Sequence, residues 1–189
     1  MGKIFKDALV LMAFSLVLGF VLGGVYKITE PIIAEATLRK EMEAYKVVFE
    51  NADTFNELAV DTALAGKVMT DNGCAGAIDK VFEAVDTNGS AIGYVVQLTT
   101  RGYKDGLVMV VGIQMDGTVN GFSVTTHSET QGLGTVAFEP AYADQFKGIA
   151  SADVAGVATI TGATMTSSGI KNGISAAAAY ANSLAGGGQ

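Results

Sequence analysis

The sequence predicts an α+β protein: an N-terminal transmembrane helix, then one domain with a twisted, mainly antiparallel sheet flanked by helices. Three observations carry this prediction. One uncharged apolar run near the N-terminus has the length of a membrane span. Two consecutive hairpin signals lie in the middle of the chain, and helical patterns stand on either side of them.

The apolar run is Ala8 to Tyr26, ALVLMAFSLVLGFVLGGVY, with Ser15 its one polar side chain besides the tyrosine. A helix of about 20 such residues crosses a hydrocarbon core of about 30 Å. Lys3 and Lys6 precede it, while Lys27 and Glu30 follow with cancelling charges. This bias predicts a single-pass protein of the plasma membrane, with a cytoplasmic N-terminus and an extracytoplasmic main domain. Ala34-Glu35-Ala36 has the form of a signal-peptidase site, but it lies well beyond an apolar run longer than a usual signal core. A retained anchor is the expectation. Gly19, Gly23 and Gly24 give that anchor a small-residue face for neighbouring helices.

Thr29-Glu30-Pro31 reads as a fresh helix start, with threonine as cap and proline in the first turn. Apolar positions Ile33, Leu38, Met42, Tyr45, Val48 and Phe49 then suit an amphipathic helix leading to the domain. The expected organisation is a stub and transmembrane helix over 1–28, a connecting helix over 29–50, the domain over 51–185, and a flexible tail over 186–189. Asp53 to Val68 has helical or mixed character, and Asp71-Asn72-Gly73 ends it in a turn. Strands from Val81 to Val85 and Ala91 to Leu98 flank Asn88-Gly89; strands from Leu107 to Gln114 and Val119 to Val124 flank Asp116-Gly117. An alanine-rich helix is expected from Gly169 to Leu184.

Composition removes several function classes. The 189 residues carry a net charge of −7, and the part beyond Lys3, Lys6 and Asp7 is more acidic still, which repels nucleic acid and anionic lipid headgroups. Contact with the bilayer must come from the apolar segment. Cys74 is the one cysteine, so the chain alone makes neither a disulfide nor a four-thiolate cluster.

Two loops carry chemical residue types. The first, Thr126 to Gly134, contains the one histidine, His127, with Ser128, Glu129, Thr130, Gln131, Gly132 and Leu133. A serine hydrolase does not fit, because Ser128 adjoins His127 and there is no G-x-S-x-G turn. A metal site would need more ligands than His127 and Glu129. Read locally, the loop is a turn capped by hydroxyl and carboxylate groups. The second loop is Thr161-Gly162-Ala163-Thr164-Met165-Thr166-Ser167-Ser168, between the apolar run Val154 to Ile160 and the last helix. It fits either a plain cap by Thr166 or Ser167, or a phosphate site at a helix N-terminus.

Taken together, Thr161-Gly162-Ala163-Thr164-x-Thr166-Ser167 resembles the [S/T]-G-A-T-x-[S/T] flavinylation motif of the FMN-binding domain family. His127–Gly134 is similar to the H-x-E-T-x-G-L-G stretch of the same domain. With the anchor, the resemblance extends over essentially the whole chain and is nearest to the G subunits of Rnf-type complexes. It implies an electron-transfer subunit of a membrane-bound, ion-translocating ferredoxin:NAD⁺ oxidoreductase, carrying FMN covalently on Thr164 through a phosphoester. It implies partner membrane subunits, and a flavin transferase using FAD and Mg²⁺ for maturation. Thr161, Gly162, Ala163, Met165, Thr166 and Ser167 would surround the attachment point. His127, Glu129, Thr130, Gly132, Leu133 and Gly134 would shape the flavin face. No general acid or base is required of an electron carrier, and no metal ligand set is expected. The competing expectations are a stand-alone anchored flavin reductase and a non-redox binding or sensory domain.

Overall fold

The computed structural model describes residues 2–186, without the side chains of 3–5, 13, 28 and 31–38. In chain order the elements are α1 (Gly2–Val48), β1 (Thr54–Leu58), α2 (Thr62–Asp71), β2 (Ala77–Val85), β3 (Ala91–Thr100), β4 (Leu107–Gln114), β5 (Thr118–Thr126), α3 (Pro140–Ala143), β6 (Ile149–Ala150) and α4 (Thr164–Gly186). Three short 3₁₀ turns lie between β5 and α4. The chain divides into two compact units, Met1–Glu41 and Met42–Gln189.

Within the first unit, α1 from Lys6 to Lys27 has a mean hydropathy of 2.5, long and apolar enough to cross a membrane. Its described large apolar side chains from Leu9 to Tyr26 are all more than half exposed. Ser15 donates to the Leu11 carbonyl at 3.0 Å, so its hydroxyl is satisfied within the helix. The expected new helix start at Thr29 is not found. α1 continues unbroken to Val48, and the Thr29 hydroxyl donates backwards to the carbonyls of Val25 (2.9 Å) and Tyr26 (3.2 Å). Turns on both sides propagate the helix through a local cap signal. The expectations for Ile33, Leu38 and Ala34–Ala36 concern side chains outside the described residues, as does the tail beyond Gly186.

The second unit is built on a six-stranded antiparallel meander, β1-β2-β3-β4-β5-β6. Both hairpins form where the turn residues place them. At Asp116-Gly117, φ of Gly117 is +84°, a conformation that disfavours side chains, and the Asp116 carboxylate accepts the Thr118 N–H at 2.9 Å. The 53–68 segment resolves into a strand and a helix. β1 pairs with β2 from Thr54↔Val85 to Leu58↔Val81. α2 follows, with Asp61 as cap accepting from the N–H groups of Ala63 and Leu64.

The sheet is covered on both faces, which explains why its central strands are almost continuously apolar. One face presents Val81, Tyr94, Val96, Leu98, Met109, Val111 and Ile113 to α2 and α4. The other presents Phe82, Ala84, Val95 and Val110 to Ala44, Tyr45, Val48 and Phe49. Gly93 and Gly112 leave a notch there: a β-carbon on Gly93 would lie 2.5 Å from Phe49 Cζ, and one on Gly112 would lie 2.9 Å from Val48 Cβ. The Tyr45 hydroxyl donates to Gln97 at 2.7 Å, and Asn120 Nδ2 donates to the Val48 carbonyl.

Cys74 sits on the α2–α4 side, buried, with its sulfur 3.2 Å from the Thr100 hydroxyl. Burial pushes its thiol up, against a smaller opposite effect of the Thr100 hydrogen bond. Native protein at pH 8 is therefore expected to react with iodoacetamide at least about tenfold more slowly than denatured protein. Equal rates, followed by mass spectrometry, would contradict this packing.

Candidate functional site: a cleft at the N-terminus of the last helix

α4 begins at Thr164, five residues earlier than the expected Gly169, so the T-G-A-T run leads directly into its first turn. Thr166 and Ser167 are therefore inside the helix and do not cap it. The Ser167 hydroxyl donates to the Ala163 carbonyl at 2.9 Å and accepts the Ile160 N–H at 3.1 Å. That pair locks the residues just before the helix onto its first turn. The Thr166 hydroxyl donates to Glu129 Oε2 at 2.8 Å. Thr164 differs: it is exposed, and its hydroxyl makes one long bond, 3.3 Å, to the Ile160 carbonyl.

The His127–Gly134 segment approaches the same helix end. The Thr130 carbonyl accepts from the N–H groups of Leu133 (3.1 Å) and Gly134 (3.0 Å), and Gly132 adopts φ +73°. A non-glycine residue at 132 would strain this turn. Gly132 N–H donates to the Thr135 hydroxyl at 2.9 Å. The result is a tight loop that turns Leu133 outward, 54% exposed.

Between the two loops and the β3–β4 connection lies a cleft of about 330 Å³, lined mainly by Tyr103, Leu133, Met165, Gly162, Thr164 and Glu129. Thr130, Gly134, Ala163 and Thr166 complete its wall. Tyr103 (68%), Leu133 and Met165 (57%) are large apolar side chains left open to solvent around one concavity. Such a grouping marks a place where an apolar or aromatic ligand is covered.

Nine of the sequence-predicted site residues line this cleft: Glu129, Thr130, Leu133, Gly134, Gly162, Ala163, Thr164, Met165 and Thr166. Thr161, Ser167, Gly132 and His127 do not. Ser167 and Gly132 shape the backbone behind it, as described above. His127 is exposed and packs at a tilt against Phe138, with ring centroids 4.8 Å apart. Tyr103 was missed, because nothing in its local sequence ties the β3–β4 connection to α4. Among the described residues no cluster of three or more His, Cys, Asp or Glu side chains is placed to hold a metal ion.

The cleft suits a flavin nucleotide. Its open side is apolar and aromatic, as a ring system requires. A β-carbon at Gly162 would meet only Leu133 Cδ1, at 4.0 Å, so the floor there is open to close approach. The first turn of a 23-residue helix presents N–H groups that have no partner within the helix, a suitable seat for a phosphate.

Residues 102–179, which include every residue of this cleft wall, match the FMN-binding domain family. An FMN-binding domain is thus present, and the chain also has an N-terminal helix long and apolar enough to cross a membrane.

Over most of its length the chain is similar to the G subunits of ion-translocating oxidoreductase complexes. It is 27% identical to the G subunit of the proton-translocating ferredoxin:NAD(+) oxidoreductase complex of Clostridium ljungdahlii, over 89% of this chain and 86% of that one. Identity is also 27% to the G subunit of the ion-translocating oxidoreductase complex of Methanosarcina acetivorans, over 97% of each. The G subunit of the Na(+)-translocating ferredoxin:NAD(+) oxidoreductase complex of Acetobacterium woodii is 28% identical, over 90% of this chain and 88% of that one. Among solved structures, NqrC of Shewanella oneidensis matches with a TM-score of 0.45 and 20% identity, over 67% of this chain and 65% of that one.

Proposed function

We propose that this chain is the flavin-bearing electron-transfer subunit of a membrane-bound, ion-translocating ferredoxin:NAD⁺ oxidoreductase, with FMN joined to Thr164 by a phosphoester. The similarity to the three G subunits supports the complex, and the family match supports the cofactor. One observation carries the attachment point. Of the hydroxyls at 161, 164, 166 and 167, that of Thr164 alone is both exposed and in the cleft wall.

The chemistry follows from that position. The Thr164 hydroxyl oxygen forms a bond to the phosphorus of the FMN half of FAD and gives up its proton. The bond from that phosphorus to the AMP oxygen breaks, and AMP leaves. A flavin transferase supplies the Mg²⁺ that offsets charge on the leaving group. Bound FMN then supplies the capacity to accept and donate electrons. The chain's own residues would hold it: N–H groups in the first turn of α4 would receive the phosphate, and Tyr103, Leu133 and Met165 would line the ring. A covalent link keeps the flavin from being lost outside the cell.

In this reading residues 1–28 form the stub and span, 29–50 lead out of the membrane, and 51–185 hold the flavin outside the cytoplasm. Partner membrane subunits dock on the anchor, where Ser15, Gly19, Gly23 and Gly24 line one groove. The test is intact mass of full-length protein made with and without a co-expressed flavin transferase, with in-gel fluorescence after denaturation. The expected result is a transferase-dependent gain of one FMN less water. No gain would remove the redox function and leave an anchored binding domain. A flavinylated chain that purifies without partner subunits would favour a stand-alone reductase.

A further inference from the structure

Glu129 is a buried carboxylate, 8% exposed, in the wall of the cleft. Its position in the H-x-E-T-x-G-L-G stretch suggests a direct flavin contact, but its oxygens are engaged by protein. Oε1 accepts the Lys104 backbone N–H at 3.0 Å, and Oε2 accepts the Thr166 hydroxyl at 2.8 Å. Two glycines close on the same group. A β-carbon on Gly102 would overlap Oε1, and one on Gly134 would overlap Oε2. Gly102 N–H in turn donates to the Lys104 carbonyl at 3.1 Å, which sets Tyr103 at the tip of a narrow turn.

These contacts join three segments that meet nowhere in the sequence: the β3–β4 connection, the 127–134 loop and the first turn of α4. We propose that Glu129 is a positioning residue. It assembles the cleft wall and aims Tyr103 at the flavin ring without itself serving as a flavin ligand. The inference rests on the flavin reading of this cleft. A buried carboxylate serves this role because its two oxygens accept along different directions, each as a charge-assisted bond to a separate segment. Its charge also lies beside the positive end of α4, where it is favourable. The two glycines remove the side chains that would otherwise hold the segments apart.

Full-length protein flavinylated by co-expressed transferase tests this, with the fluorescence anisotropy and intensity of the attached flavin as readouts. In Glu129→Ala the flavin is expected to remain covalently bound, since Thr164 is intact. Its ring loses a fixed wall, so anisotropy falls about twofold and intensity rises as Tyr103 moves away. Glu129→Gln is expected to restore values near wild type: its oxygen still accepts from Lys104, and its amide can donate to Thr166. Thr166→Val, nearly isosteric, removes one of the two bonds and is expected to fall between. This variant keeps the test available if Glu129→Ala does not fold.

Wild-type values in both Glu129→Ala and Thr166→Val would overturn the proposal. So would a Glu129→Gln variant as mobile as Glu129→Ala, because the two hydrogen bonds at this position would then not be what holds the wall. Absence of flavin from the wild-type chain is a separate outcome, read by mass, and sinks the underlying reading instead.

Discussion

Full-length protein carrying Thr164→Val, produced beside an active flavin transferase, is expected to contain no covalent flavin. Thr161→Val and Thr166→Val are expected to retain it. The argument is one of access and hydrogen-bond strength. The Thr164 hydroxyl is exposed and makes a single 3.3 Å bond to a carbonyl, so freeing it for attack costs no more than about 0.5 kcal/mol. Thr166 is 1% exposed, and its hydroxyl donates at 2.8 Å to a buried carboxylate. Breaking a bond of that kind costs about 1.5–3 kcal/mol, roughly ten- to a hundredfold in rate before the cost of exposing the oxygen is added. Ser167 is wholly buried and bonded in two directions. Thr161 is exposed but outside the cleft wall. Valine nearly matches threonine in shape, so the cleft survives the substitution at 164 and only the nucleophile is lost. Thr164→Ser is expected to restore attachment. A Thr164→Val protein that still gains one FMN less water, mapped by peptide mass to another hydroxyl, would show that the acceptor lies elsewhere.

Elements whose causes are local were legible in the sequence. Asn88-Gly89 and Asp116-Gly117 announce their hairpins because turn geometry depends on a few adjacent residues. The apolar run predicts its helix for the same reason. Features decided by distant partners were not. Thr54–Leu58 has no alternating pattern of its own and becomes a strand through its pairing with β2. Thr29-Glu30-Pro31 carries a cap signal, yet helix on both sides runs through it. The site divides the same way. The T-G-A-T run and the His127–Gly134 segment could be read as motifs, but their meeting depends on Glu129 reaching Thr166 across 37 residues. Tyr103 enters the cleft on a turn whose Lys104 N–H that distant carboxylate accepts. His127, conspicuous as the one histidine, rests on Phe138 beside the site.

Gly169→Ala carries the largest expected effect on stability, and it shows how closely site and core are joined. A β-carbon at 169 would overlap the Arg101 carbonyl oxygen and lie 3.0 Å from its carbon, so backbone, not a flexible side chain, stands in the way. Either α4 lifts from the end of β3 or the 101–106 connection moves outward. Both disturb the cleft, since Tyr103 is on one side of the contact and Thr164 and Met165 are on the other. Overpacking of this kind costs roughly 3 kcal/mol. For a domain of this size the midpoint of thermal unfolding should fall by about 10 °C. Gly66→Ala supplies the control. It lies on the exposed side of α2, where an added β-carbon meets nothing within 4 Å. There the same substitution removes only the entropic penalty of a helical glycine and should stabilise by about 0.5–1 kcal/mol. Calorimetry on the two variants therefore reads opposite signs for one chemical change. Flavin attachment should follow the same division, slowed in Gly169→Ala and unchanged in Gly66→Ala. If Gly169→Ala unfolds at the wild-type temperature, the close contact between α4 and the β3–β4 connection does not exist as described. The wall that this contact gives the cleft would then be lost with it.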